Sequence, residues 1–202
     1  MGKIYKLKDY GRVEPKSYLT PNFNLNTMEK FPIIETERLI LSQLEEKDVP
    51  FIVEYLQHRI FSDLTSNIPY PYIENDARSW LKMSKEAFDN QTGYTFAIRN
   101  KEGHIIGAIG LHDRDDDKAE LGYWIGMSYW NKGFVTEAAG AIVDFGFNDL
   151  GFHKIFATHF FHNPASGRIM EKIGMEQEAV LKQEIKKDGA YFDIVRYSIF
   201  KD

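Results

Sequence analysis

Residues 120–138 read E-L-G-Y-W-I-G-M-S-Y-W-N-K-G-F-V-T-E-A. Just before and within this stretch, Ala119, Leu121, Tyr123 and Ile125 alternate as one face of a strand, so Glu120 points to the other. From Val135 onward, Ala138, Ala139, Ile142, Val143 and Phe145 follow at helical spacing. The connection between them carries Gly133. A strand that runs through a glycine loop directly into a helix is a building unit of layered folds with helices on a sheet. The first amides of a helix have no internal partner and sit at the positive end of its dipole, and glycine lets a ligand approach the backbone. The loop therefore either presents amides to a pyrophosphate, with Lys132 as a point charge, or is an ordinary strand-to-helix connection. It matches neither G-x-x-x-x-G-K-[ST] nor G-x-G-x-x-G, which disfavours ATP, GTP and NAD.

Upstream, Arg38–Leu44 has strand composition, and Asp48-Val49-Pro50 reads as an N-cap followed by proline in the first turn of a helix through Ile60. Pro69 and Pro71 keep Ser66–Tyr72 irregular, and a second helix runs from about Asn75 to Asn90. Strands around Tyr94–Ile98 and Ile105–Leu111 precede the acidic turn Asp113–Lys118. Downstream come a strand at Lys154–Phe160, a short helix Pro164–Ile173 closed by Gly174, and two strands joined at Lys186-Lys187-Asp188-Gly189. The predicted order is β-α-α-β-β-β-α-β-α-β-β, a mixed α/β sheet with helices on its faces.

The chain of 202 residues has a net charge of −5, 43% hydrophobic residues and no cysteine. That length buries about 70% of the unfolded surface, enough for a core without disulfides. The absence of cysteine removes disulfides, thiolate metal sites and cysteine nucleophiles, and fits a cytoplasmic protein. Mild acidity argues against nucleic acid as a partner. The longest stretch without Asp, Glu, Lys or Arg, Ile155–Gly167, has 13 residues and contains two histidines and a proline. It is short of the ~20 apolar residues that a membrane span needs. Residues 1–30 carry six basic and three acidic residues and an uncharged, Asn-containing segment, and read as an arm on a domain of residues 31–202. Tyr5, Leu7, Tyr10, Tyr18, Phe23 and Leu25 in that arm are too apolar for a solvated tail, so it is expected to pack on the body or a second subunit.

A second informative stretch is His162–Met175, H-N-P-A-S-G-R-I-M-E-K-I-G-M, where Asn163 stands between strand and helix with Ser166 three positions on. Asn163 can be simply the N-cap. Both stretches lie near the C-terminal ends of strands followed by helices, where ligands bind in open α/β sheets. The segments A-E-L-G-Y-W-I, Y-W-N-K-G-F-V-T-E-A and N-P-A-S-G-R-I-M-E-K-I-G-M, preceded by E-T-E-R-L-I-L, resemble the GNAT superfamily of N-acetyltransferases. The wording is closest to the RimJ/RimL type, which acetylates protein N-termini.

The resemblance implies a sheet splayed between its fourth and fifth strands with acetyl-CoA as co-substrate in the wedge, no metal, and direct attack by an amine acceptor. A dimer is suggested by the family alone. The family's R/Q-x-x-G-x-G/A pyrophosphate loop falls on Trp130–Val135, with Trp130 and Val135 as departures. Cofactor contacts are implied for Ile125, Met127, Asn131, Lys132, Gly133, Phe134, Val135, Thr136, Asn163 and Arg168, Asn163 contacting the pantetheine arm. Glu120 matches the glutamate that takes the amine's proton, usually through water. The superfamily's acidic tyrosine would fall near Ile169-Met170, where there is none, which leaves Ser166 as the nearest donor to the departing thiolate.

Weaker candidates are the acidic turn, read as a solvated loop or as an attractor of a cationic acceptor, and His112, as an edge residue or a proton relay. His153, His159 and His162 have no acidic partners at metal-binding spacing. Tyr123, Trp124, Tyr129 and Trp130 read as core and groove wall. The expected activity is acetyl transfer to a protein N-terminal amine such as that of a ribosomal protein. The alternatives are acetylation of a small amine (antibiotic, polyamine or amino acid) and a non-catalytic acyl-CoA-binding module.

Overall fold

The computed structural model describes residues 28–201. Most of the expected arm, and with it the packing of its apolar residues, lies outside the described residues. In chain order the elements are β1 (Ile34–Glu35), β2 (Leu39–Gln43), α1 (Val49–Leu56), α2 (Arg59–Leu64), α3 (Glu74–Asp89), β3 (Gly93–Asn100), β4 (Ile105–Arg114), β5 (Lys118–Ile125), α4 (Phe134–Asn148), β6 (Lys154–Phe160), α5 (Pro164–Lys172), β7 (Glu176–Lys187) and β8 (Ala190–Phe200). They form one eight-stranded mixed sheet in the order β1-β2-β3-β4-β5-β6-β8-β7.

Every neighbouring pair is antiparallel except β5 and β6, which run parallel. Their pairing lasts only from Lys118↔Lys154 to Glu120↔Phe156. Beyond Glu120 the two strands diverge, which is the expected splay between the fourth and fifth predicted strands. A parallel pair needs a long crossover, and α4 supplies it.

The two faces carry separate cores. On one, α4 buries Ala138, Ala139, Ile142, Val143 and Phe145 against Phe96, Ile98, Ile109, Leu111, Leu121 and Ile155. On the other, Val49, Ile52 and Leu56 of α1, Phe61 of α2 and Ala77 of α3 cover Ala97, with Trp124 packed alongside. β3 is buried along nearly its whole length because both of its faces are covered, so its apolar alternation is not matched by alternating exposure.

Three details differ from the sequence reading. The short β1 pairs with β2 ahead of the first predicted strand. The first predicted helix breaks at Gln57-His58, and Arg59–Leu64 forms a separate helix that runs past the expected end at Ile60. Asp48 does not cap α1 with its side chain. Its carboxylate takes Arg99 Nη1 and Nη2 at 2.7 Å each and accepts the Glu45 amide at 2.8 Å. Arg99 is only 5% exposed, and a buried guanidinium requires a fixed counter-charge more strongly than a helix end requires a cap.

Candidate active site

The divergence of β5 and β6 opens a cleft of about 460 Å³. One wall is the Leu121–Tyr123 face of β5 with the first turns of α4 and α5; the opposite face is reached by Phe61 and Leu64 of α2.

At the start of α4, Asn131 and Gly133 both have left-handed backbones, with φ of 59° and 79°. Such turns point successive amides to one side and form anion-binding concavities. The amides of Asn131–Thr136 donate no hydrogen bond to the described residues, and the first bond of the helix is Glu137 N to Gly133 O at 3.0 Å. The loop is braced from behind by Arg38. Its Nη1 donates to Lys132 O at 2.9 Å, its Nε to Glu137 Oε2 at 2.6 Å, and its guanidinium lies 4.7 Å from the Phe134 ring. Glu137 also accepts from Thr36 Oγ1 at 2.6 Å and the Arg38 amide at 2.8 Å. Burial pushes the Glu137 carboxyl up, but these hydrogen bonds and the charge of Arg38 outweigh it and hold the carboxyl below its ordinary range.

Residues 38–176 match the model of the acetyltransferase (GNAT) domain. The chain belongs to the GNAT family of N-acetyltransferases. It is 32% identical to the uncharacterized N-acetyltransferase YoaA of Bacillus subtilis over 85% of this chain and 98% of that protein. It is 33% identical to the [ribosomal protein uS5]-alanine N-acetyltransferase of Escherichia coli over 80% of this chain and 87% of that one. A GNAT acetyltransferase structure from Bacillus anthracis superposes with a TM-score of 0.75 at 29% identity, covering 84% of this chain and 98% of its own.

Within this GNAT fold, Glu120 stands on the last paired rung of β5 and β6, on the face away from α4. Its Oε2 takes Arg114 Nη2 at 2.9 Å and Nε at 3.2 Å, while Oε1 has no partner among the described residues. His112 is its direct cross-strand neighbour; burial first, and Arg114 second, lower the imidazole pKa against the opposing pull of Glu120, so His112 is neutral at pH 7.

From the other face Tyr123 reaches α5: its hydroxyl is 2.8 Å from Ser166 Oγ and donates to Ser166 O at 3.1 Å. Burial raises the phenol to about 12 against the lowering effect of the Ser166 contact, so it stays protonated. Sequence reasoning placed Tyr123 in the groove wall and missed this contact, which joins residues 43 positions apart.

Asn163 is the N-cap of α5, with Oδ1 accepting the Ser166 amide at 3.4 Å, and its Nδ2 donates to Leu64 O at 3.3 Å. Two more side chains hold α2 and the loop after it. His162 Nε2 lies 2.9 Å from Asp63 O, and Lys187 Nζ donates to Ser62 O, Thr65 O and Ile68 O at 2.5, 2.8 and 3.1 Å. Together they roof the cleft.

Of the residues singled out from sequence, Glu120, Ile125, Asn131, Gly133, Phe134, Val135, Thr136, Asn163, Ser166 and Arg168 line the cleft. Met127 and Lys132 do not: Met127 sits in an exposed 3-10 turn, and Lys132 Nζ lies 5.7 Å from the Tyr129 ring. Trp130 uses its indole N–H to cap Ile125 O at 2.8 Å and packs edge-on to Phe61, a role in shaping the wall. In the acidic turn Asp115 lines a small hollow with Arg114, Lys118, Lys154 and Arg196, Asp116 pairs with Lys118, and Asp113, Asp115, Asp116 and Asp117 are all exposed. Arg38 and Lys187 were not legible as site residues, although Arg38 lies in E-T-E-R-L-I-L and Lys187 in the turn Lys186-Lys187-Asp188-Gly189.

Proposed function

We propose that this GNAT protein transfers the acetyl group of acetyl-CoA to a primary amine, the N-terminal α-amine of a protein such as a ribosomal protein. The observation that carries the reading is a convergence at one point. The unpartnered amides of Asn131–Thr136 open onto the cleft from the α4 face, and Glu120 stands at its floor on the opposite face, where β5 and β6 part. Two substrates approaching from opposite faces meet there without crossing. The likeness to an enzyme that acetylates the alanine of ribosomal protein uS5 supports an α-amine as acceptor.

In this reading the amides around Gly133 bind the pyrophosphate of acetyl-CoA, and Arg168 adds positive charge at the same end. Asn163 orients the pantetheine arm with its side-chain amide. The cofactor's thioester supplies the activated acetyl group. Glu120 accepts the amine's proton, directly or through water, at the oxygen that Arg114 leaves free. Ser166 gives a proton to the departing sulfur and is held in place by Tyr123. Most of the acceleration comes from positioning the two substrates.

An acceptor screen tests this. The protein is incubated with acetyl-CoA and either N-terminal peptides or free small amines, and released thiol is measured alongside calorimetry of acetyl-CoA binding. Turnover with peptides is expected. Turnover confined to small amines rejects the protein acceptor, and binding without turnover on any amine rejects the acetyltransfer assignment in favour of an acyl-CoA-binding module.

A further inference from the structure

The sheet contains a glycine that the fold does not require. A Cβ placed on Gly107 of β4 would stand 2.4 Å from Trp124 O, and one on Gly110 would stand 2.8 Å from Tyr94 O, so backbone packing excludes a side chain at both. At Gly122 of β5 a Cβ would meet nothing within 4 Å, and its φ lies outside the left-handed range. Gly122 is exposed and lines the cleft. Glycine inside a strand weakens it and is otherwise explained by a bulge or a close approach of another chain or ligand. β4 and β5 pair through Gly110↔Gly122 with no shift of register, so there is no bulge.

Period-two alternation puts Glu120, Gly122 and Trp124 on one face, the face opposite the amides of the α4 start. At about 3.4 Å per residue, Glu120 and Trp124 stand ~14 Å apart along the strand with an empty position between them. Across β4 the same row continues as Gly110, so the floor is low in both directions. Phe61 of α2 closes over it, its ring 6.4 Å from that of Trp124 and nearly perpendicular to it. Beside the uncharged polar side chains of Ser66, Asn67 and Thr158, the cleft lining includes the apolar Phe61, Leu64, Phe160, Ile185 and Ile194. Glu120 is the one carboxylate lining the cleft among the described residues, and Arg114 already occupies one of its oxygens.

We infer that Gly122 is a specificity-determining residue. The space its missing side chain leaves between Glu120 and Trp124 is the seat of the acceptor, and it takes a single primary amine carried on an uncharged or apolar group. A polyamine would bring a second ammonium into a wall that offers it no counter-charge, and an unpaired buried charge is strongly disfavoured. The inference rests on the acetyltransferase reading above and narrows its acceptor.

The test uses the full chain with Gly122→Ala and Gly122→Val. Both variants should fold, melt no lower than the parent, and bind acetyl-CoA within about twofold of it, because nothing packs against the new side chain. The KM for a peptide with a free α-amine and uncharged first residues should rise modestly for Ala and at least tenfold for Val, with a smaller change in kcat. In the same assay, spermidine should be a poorer acceptor for the parent than the peptide or phenethylamine. An unchanged acceptor KM in a folded Gly122→Val variant overturns the seat, and so does a loss of acetyl-CoA affinity equal to the loss for acceptor. Preference of the parent for spermidine overturns the single-amine restriction. A parent active on phenethylamine and inactive on peptides rejects the protein acceptor while leaving the seat intact, which separates the two claims.

Discussion

The phenol oxygen of Tyr123 and the hydroxyl oxygen of Ser166 stand 2.8 Å apart on the two walls of the gap where the sheet divides. One residue belongs to β5 and the other to the first turn of α5, so this contact ties together the halves that the backbone ladder leaves separate. Ser166→Ala keeps the backbone amide that Asn163 accepts, so α5 should remain capped. The expected result is a kcat lowered by roughly 10- to 100-fold, within the range for proton transfer by a positioned group, with acetyl-CoA affinity unchanged. A kcat equal to the parent's removes Ser166 from the reaction.

Tyr123→Phe should lower stability by about 1 kcal/mol, the net value of one buried hydrogen bond. The phenol titrates at about 12 instead of the ordinary 10.0, so its contribution is complete below pH 10 and fades as pH rises toward 12. Activity profiles of parent and variant should therefore bend at the same alkaline pH below 10. An inflection in that range that vanishes in Tyr123→Phe contradicts the assignment.

Glu120→Gln should cost about 10²-fold or less in kcat/KM near neutral pH. An α-amine has a pKa near ~8, so roughly a tenth is already neutral at pH 7 and the base has little left to do. The deficit should shrink as pH rises and free amine accumulates. A deficit constant from about pH 6.5 to 9.5, on either side of that amine pKa, is incompatible with proton removal by Glu120.

The Arg38–Glu137 brace makes loop geometry depend on acid. Glu137 titrates below its ordinary 4.5 in the folded protein, so the stabilisation is complete above that value and is lost as pH falls through the lowered one. Glu137→Gln should destabilise by about 1.5–3 kcal/mol at pH 7, the range for hydrogen bonds to a charged group, and weaken acetyl-CoA binding. Melting of parent and variant should converge as pH falls through the lowered carboxyl pKa. A gap that persists there shows that the carboxylate charge is not what holds the loop.

Gly133→Val imposes a branched side chain on a φ of 79°. Left-handed backbone costs an ordinary residue about 1–2 kcal/mol, and the loop should relax away from the geometry that lines up its amides. Calorimetry should give an acetyl-CoA Kd at least about tenfold higher, corresponding to 1.4 kcal/mol. Parent-like affinity would move the pyrophosphate to another part of the cleft.

The element order and the glycine loop were legible because each is written locally, in period-two alternation and a strand running into a helix, whereas the splay followed only from the family resemblance carried by three ordered motifs. The extra helix Arg59–Leu64 was not, since Ile60 continues the apolar spacing of α1 and hides the break at Gln57-His58. Asp48 carries a sound N-cap signature, yet its partner Arg99 arrives from 51 positions away. Glu137 and Arg38, separated by 99, look like ordinary surface charges until the fold brings them together. The residues that line the cleft were mostly readable, whereas those that brace or roof it depend on contacts that no local pattern encodes.

The roof has a chemical side. Lys187 is a primary amine beside the cleft proposed above to act on primary amines, and burial lowers its pKa, the direction that makes an amine more nucleophilic at a given pH. All three of its protons are nevertheless handed to the carbonyls of Ser62, Thr65 and Ile68. An ammonium has no lone pair to attack with, and freeing one here means breaking a bond to the roof itself. In the proposed reaction, the same three contacts that hold the loop in place would thus keep this side chain from competing as an acceptor.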